Sequence, residues 1–171
     1  MLFPLRSTLS SSHRVGVLLL VVATAVILTA LAFEHLGGYR PCPLCLEERY
    51  GYYAAIPALA VALLLLWAGR PGAASALFAL VALALLANGA LGIYHAGAEW
   101  KLWPGPETCD AAQPLSKAAG SLLNDLAATR VIRCDEAPWR FLGLSFAGWN
   151  AVASLGLAAG ATCAAIKAWR G

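Results

Sequence analysis

The sequence predicts an all-α fold: a polytopic four-helix membrane bundle with one long external loop that carries a short amphipathic helix. Three observations predict it. Of 171 residues, 60% are hydrophobic and only 12% charged, with a mean hydropathy of +0.70; a soluble domain is about half apolar and about a quarter charged. The apolar residues gather into four runs, each close to the ~20 residues that cross a bilayer. The charges are sorted between the segments that join those runs.

The first run, Val15–Phe33, is uncharged over 19 residues and as a helix extends about 29 Å, close to a ~30 Å hydrocarbon core. Glu34-His35-Leu36-Gly37-Gly38-Tyr39-Arg40-Pro41 ends it with glycine and proline punctuation. The second run, Tyr50–Gly69, contains Pro57, which a membrane helix tolerates when neighbouring groups satisfy the freed carbonyl. Arg70-Pro71-Gly72 is a very short turn, and the third run, rich in Ala and Leu, goes from Ala73 to about Tyr94. The fourth covers about Phe146–Ile166. The expected organisation is therefore one integral membrane domain over 1–171, with spans at about 15–34, 50–69, 73–94 and 146–166, and loops at about 35–49 and 95–145.

In the long loop, Leu115, Ala119, Leu122, Leu123 and Leu126 recur at helical spacing while Lys117, Ser121, Asn124 and Asp125 fall elsewhere. This predicts a short amphipathic helix lying in the membrane interface, with packing against the loop's own residues as the alternative. Trp67, Trp100, Trp103, Trp149 and Trp169 stand near span boundaries, where aromatic belts form.

Charge sets the orientation. The N-terminal tail, the 68–72 turn and the C-terminal tail hold Arg6, Arg14, Arg70, Lys167 and Arg170 and no acid; all nine acidic residues lie on the opposite side. Short basic segments stay cytoplasmic, so both termini are expected there and both loops outside. A cleaved signal peptide ending near Ala30-Leu31-Ala32 is the competing reading; it leaves every external cysteine on the same side. The net charge of +3 is small, and no nucleic-acid partner is inferred from it.

Four of the five cysteines, Cys42, Cys45, Cys109 and Cys134, lie in the external segments; Cys163 lies in an apolar run and reads as a small apolar side chain. Four cysteines facing an oxidising space are expected to form two pairs. Zinc binding by all four is disfavoured, because Cys109 and Cys134 are not a close pair and there is no second Cys-x-x-Cys. A structural staple remains open for Cys109 and Cys134. It suits Cys42 and Cys45 poorly, since so small a ring removes little loop entropy. Thiol–disulfide exchange is the reading that uses both pairs: a soluble partner reduces the loop pair, the loop pair reduces the pair at the membrane lip, and an acceptor dissolved in the lipid takes the electrons. Arg40 and Arg49 flank the lip pair, and a nearby cation favours the thiolate. A quinone is the natural lipid-soluble two-electron acceptor, with Arg49 placed to contact its oxygen; the plainer reading of Arg49 is an interfacial residue paired with Glu47 or Glu48 or snorkelling to headgroups.

Pro41-Cys42-Pro43-Leu44-Cys45 followed by Glu48-Arg49 resembles the signature of the bacterial disulfide-bond formation protein B family (DsbB). The resemblance continues through Trp103-Pro104-Gly105-Pro106, Thr108-Cys109-Asp110, and Cys134 ahead of Trp139 and Phe141-Leu142-Gly143-Leu144. It implies an inner-membrane bundle with periplasmic redox loops that reoxidises the periplasmic dithiol oxidase DsbA and reduces ubiquinone or menaquinone. It also implies a role for each matching residue: Cys109 forms the mixed disulfide with the partner, Cys134 is its mate, and Cys42 and Cys45 form the quinone-coupled pair with Cys45 nearest the quinone. Arg49 matches the quinone-interacting arginine, and His95 is the second candidate quinone contact. Two runners-up are a vitamin K epoxide reductase-like quinone/thiol enzyme and a non-enzymatic membrane scaffold with stapled loops.

Overall fold

In a computed structural model, the chain is described over residues 11–105 and 134–170. Four long helices dominate it: α1 (Ser11–His35), α2 (Pro43–Trp67), α3 (Pro71–Glu99) and α4 (Phe146–Arg170). All four are long and apolar enough to cross a membrane. A two-stranded antiparallel hairpin, β1 (Arg140–Phe141) and β2 (Leu144–Ser145), precedes α4. Leu142 and Gly143, its loop residues, both have positive φ (51° and 84°), as a two-residue turn matched to strand twist demands. The segments expected to hold Cys109 and the amphipathic helix lie outside the described residues.

The helices form a ring in which α1 touches α2 and α4, and α3 touches α2 and α4, with the largest interface between α3 and α4. That interface is made by small residues. The buried side of α4 is Ala147, Gly148, Ala151, Ser154, Leu157, Ala158, Ala161, Ala164, Ala165 and Ala168. A Cβ on Gly92 of α3 would stand 3.0 Å from the Ala151 backbone nitrogen. Small residues let membrane helices approach until their backbones are in contact. Outward faces carry Leu18, Val21, Leu64, Leu80, Leu83, Leu86 and Val152, all exposed. Helices that are apolar on both faces belong in lipid.

A buried polar set crosses the apolar core. Tyr52 Oη lies 2.9 Å from Ser154 Oγ, and Asn88 Nδ2 donates to Ser154 Oγ at 3.0 Å and to Asn150 Oδ1 at 3.3 Å. It ties α2, α3 and α4 together at one depth, since each of these groups would otherwise face hydrocarbon unpaired.

Every helix extends beyond its expected span at one end or both, and two of these extensions matter for the site. Helix α2 begins at Pro43, about seven residues before the apolar run at Tyr50, because Cys42 caps it and Pro43 takes its first position. Helix α3 runs on to Glu99, past Tyr94. Hydropathy marks where lipid begins, whereas a helix continues wherever its side chains find partners. The proline in α2 does not end it: Pro57 lies inside the continuous helix.

Candidate functional site

The site is assembled where the start of α2, the end of α3 and the start of α4 meet. Cys42 is the N-cap of α2, and its sulfur accepts from the Cys45 backbone N–H at 3.2 Å. One turn on, Cys45 places its own sulfur 2.6 Å from that of Cys42. The Cys-x-x-Cys pair thus spans the cap and first turn of a helix, where unpaired N–H groups and the helix dipole favour a sulfur anion. The interaction with the Cys45 thiol, aided by the backbone N–H of Cys45, holds the Cys42 thiol below its ordinary pKa, against the opposing effect of burial. Cys42 is buried and Cys45 is half-buried.

Helix α3 brings His95 to the same point. His95 is 1% exposed. Its Nε2 lies 3.6 Å from Cys42 Sγ, and its Nδ1 donates to Glu48 Oε1 at 2.7 Å. Glu48 is buried on the first turns of α2. Glu99, one turn beyond His95, has Oε1 4.0 Å from His95 Nε2, and its other oxygen accepts from Ser145 Oγ of β2. A sulfur, an imidazole and two carboxylates therefore meet in a dry space.

The last participant arrives from the segment before α4. Cys134 is buried and packs with Cys42 and Leu44, with Cys45 and Leu91 against them. It is disulfide-bonded, whereas Cys42, Cys45 and Cys163 are free. Two features hold its segment down. Asp135 accepts a salt bridge from Lys101, just past the end of α3. Trp139 stacks on Phe146 at 4.9 Å and packs on Phe33 of α1 at 5.3 Å.

Arg49 lies next to Glu48 on α2 but leads elsewhere: it pairs with Glu34 at the end of α1. Its partner is neither Glu47, which is exposed, nor Glu48, which His95 occupies. His95, expected in the loop, sits on α3 with both ring nitrogens engaged. Trp103 folds back on α3, stacking on Tyr94 and donating to the Tyr94 carbonyl at 2.8 Å. Cys163 is exposed on α4, far along the chain from the other cysteines. Sequence reasoning brought together Cys42, Cys45, Arg49 and His95 but missed Glu48, Glu99 and Glu34 as partners. The i, i+4 spacing of His95 and Glu99 was the available signal, once both are seen to be on one helix.

Residues 12–164 match the family model described as Disulfide bond formation protein DsbB. Curated relatives named Disulfide bond formation protein B include one from Marinobacter nauticus, 32% identical over 143 residues, covering 79% of this chain and 80% of that protein. A second, from Methylococcus capsulatus, is 31% identical over 163 residues, covering 89% and 93%. A third, from Aromatoleum aromaticum, is 30% identical over 143 residues, covering 78% and 80%. No solved structure matches the chain significantly. With four helices long and apolar enough to cross a membrane, a Cys-x-x-Cys at the cap of the second and a buried third cysteine beside it, the match covers the cysteine cluster as well as the bundle, and the chain belongs to the DsbB family of disulfide-bond formation proteins.

Proposed function

We propose that this multi-pass membrane protein reoxidises a DsbA-type periplasmic dithiol oxidase and passes the electrons through Cys109–Cys134 and then Cys42–Cys45 to a membrane quinone, ubiquinone or menaquinone. Its termini are cytoplasmic and its redox loops periplasmic, as the sorting of charge favours. The observation that carries this reading is the packing of buried Cys134 against Cys42, which puts a sulfur of each couple in one cluster.

The steps balance as two successive thiol–disulfide exchanges. A partner thiolate attacks Cys109, Cys134 leaves as a thiolate, and the partner's second thiol resolves the mixed disulfide. The partner has then lost two electrons and two protons to the Cys109/Cys134 couple. In the second exchange the Cys134 thiolate attacks the oxidised pair at Cys42 and Cys45 leaves; Cys109 then closes on Cys134 and frees the Cys42 sulfur. His95 Nε2, 3.6 Å from that sulfur, takes up or returns its proton, and Glu48 fixes the ring so that Nε2 faces the sulfur.

A quinone supplies a two-electron, two-proton sink soluble in lipid. The residues present fit one. Of the close pair, Cys45 is the less buried, and Leu46, Tyr50 and Tyr53 beside it are exposed apolar surface at the outer end of α2. Arg49, one turn from Cys45 and paired with Glu34, would hold a quinone oxygen by sharing its guanidinium between the two, with His95 behind the pair. The test is purified protein with reduced partner and quinone, followed by quinone absorbance. Turnover is expected in the wild type. Cys109→Ala should lose the covalent partner complex while still oxidising a small dithiol; normal turnover with the partner in that variant overturns the relay.

A further inference from the structure

We propose that the reduced form of this site is a binding site for a thiophilic divalent cation of the zinc class, with Cys42 Sγ, Cys45 Sγ and His95 Nε2 as ligands, and that metal and disulfide exclude each other. The three donor atoms lie within 4.8 Å of one another and converge from two helices. This does not depend on the identity of the electron acceptor, because it needs only the dithiol and the imidazole.

The geometry is close to what the metal requires. Zinc holds sulfur at about 2.3 Å and imidazole nitrogen at about 2.0–2.1 Å, so in a tetrahedron sulfur and nitrogen stand about 3.6 Å apart and two sulfurs about 3.8 Å apart. Cys42 Sγ and His95 Nε2 are 3.6 Å apart already. The two sulfurs, at 2.6 Å, must separate by about 1 Å, which rotation of the half-buried Cys45 side chain provides. The Cys-x-x-Cys spacing is also one that zinc sites use for half of their ligands.

Two further observations point to a cation. Glu48 Oε1 accepts from His95 Nδ1 at 2.7 Å, the outer-shell carboxylate that fixes a metal-binding imidazole with its other nitrogen free to coordinate. The surroundings are also rich in acids: Glu48 and Glu99 both face His95, while Arg49, four residues from Cys45, is taken by Glu34 and Arg40, two residues from Cys42, is exposed. Arg140 acts on Glu99 from the hairpin side. Reducing the pair adds two potential thiolates to this buried cluster, and a divalent ion neutralises them. Glu99 Oε1, 4.0 Å from Nε2, or a water takes the fourth position.

The binding step is not a redox step. One divalent ion displaces one proton from each of two thiols and bonds to both sulfurs and the imidazole. In the disulfide form neither sulfur is available as a thiolate, so the ion is excluded; conversely, bound metal occupies both sulfurs and stops their oxidation. A cation of this class therefore inhibits the enzyme by trapping its reduced state.

The test uses the full-length chain in detergent, carrying Cys109→Ser, Cys134→Ser and Cys163→Ser so that only the lip pair reports, reduced with a phosphine and titrated with Co²⁺. Expected are a thiolate-to-cobalt charge-transfer band and the ligand-field bands of a tetrahedral site, both abolished by stoichiometric Zn²⁺ and absent from the protein oxidised at Cys42 and Cys45. Cys42→Ser or Cys45→Ser should remove the two-thiolate spectrum. Glu48→Gln, which keeps the side-chain shape, should weaken Co²⁺ binding about 10–100-fold. No band in the reduced protein, equal binding by the oxidised protein, or affinity unchanged in both Glu48→Gln and His95→Ala overturns the proposal.

Discussion

His95 on α3 and Glu48 on α2 are joined by a 2.7 Å hydrogen bond with both side chains buried. The pair is a polar link between these helices at the level of the cysteines, and it aims Nε2 at Cys42. Its loss has two separable effects. Glu48→Ala leaves a buried imidazole N–H unsatisfied and should lower stability by about 1–3 kcal/mol, read as thermal unfolding in detergent. Glu48→Gln retains an acceptor, so its stability should fall less, while oxidation of the Cys42/Cys45 dithiol should slow roughly tenfold, less than the loss of a general acid–base group itself because Glu48 acts through His95. Equal rates for Glu48→Gln and wild type would remove Glu48 from the chemistry.

Cys42 carries a depressed pKa whose largest cause is the Cys45 thiol. Because the thiolate is the reactive form, alkylation of Cys42 in the reduced protein, followed by mass spectrometry, should show a midpoint below that of a free thiol. Cys45→Ala should move that midpoint up. The sign carries over to folding: a thiol with a lower pKa in the folded than in the unfolded chain adds stability that is complete above the unfolded pKa and is lost as pH falls through the folded one. An alkylation midpoint in Cys45→Ala at or below that of the intact pair contradicts this.

Arg49 and Glu34 form the link between the end of α1 and the start of α2. If Arg49 holds the acceptor as well as Glu34, Arg49→His should raise the quinone KM by about tenfold, equivalent to about 1.4 kcal/mol, and should leave the partner KM nearly unchanged. Glu34→Gln frees the guanidinium without removing it, so its quinone KM should change less than that of Arg49→His. A partner KM that rises more than the quinone KM removes Arg49 from the acceptor site.

Gly51 faces Asn88 so closely that an added Cβ would stand 2.7 Å from the Asn88 side-chain carbon Cγ. Gly51→Ala should therefore displace Asn88 and break its bonds to Ser154 and Asn150. Overpacking of this kind costs about 1–3 kcal/mol, measurable as a lower Tm in detergent. Gly156, which meets nothing within 4 Å, is the control: Gly156→Ala should leave Tm unchanged or raise it, as alanine favours a helix.

Much of this molecule was legible in the order of its residues. Hydropathy located the four spans because lipid solvates only apolar helices, and that constraint acts on every residue of a span. The Cys-x-x-Cys pair and Arg49 beside it stood out because residue type and short spacing are visible in the chain. What a single chain could not display were contacts between segments far apart in sequence. Glu48 and His95 are separated by 47 positions, and Cys42 and His95 by 53. Nothing local to Glu48 says that it turns inward to an imidazole while Glu47, beside it, points out.

The membrane class and the number of spans could be read from the residues alone, since these follow from how each segment interacts with lipid and water. Packing between helices fixed that α2 starts at the cysteines and α3 reaches Glu99. It likewise decided that Cys134 packs on Cys42 and that Arg49 belongs to Glu34. These depend on which helix faces which, and that is settled by the fit of small residues across α3 and α4 and by the need of every buried polar group for a partner.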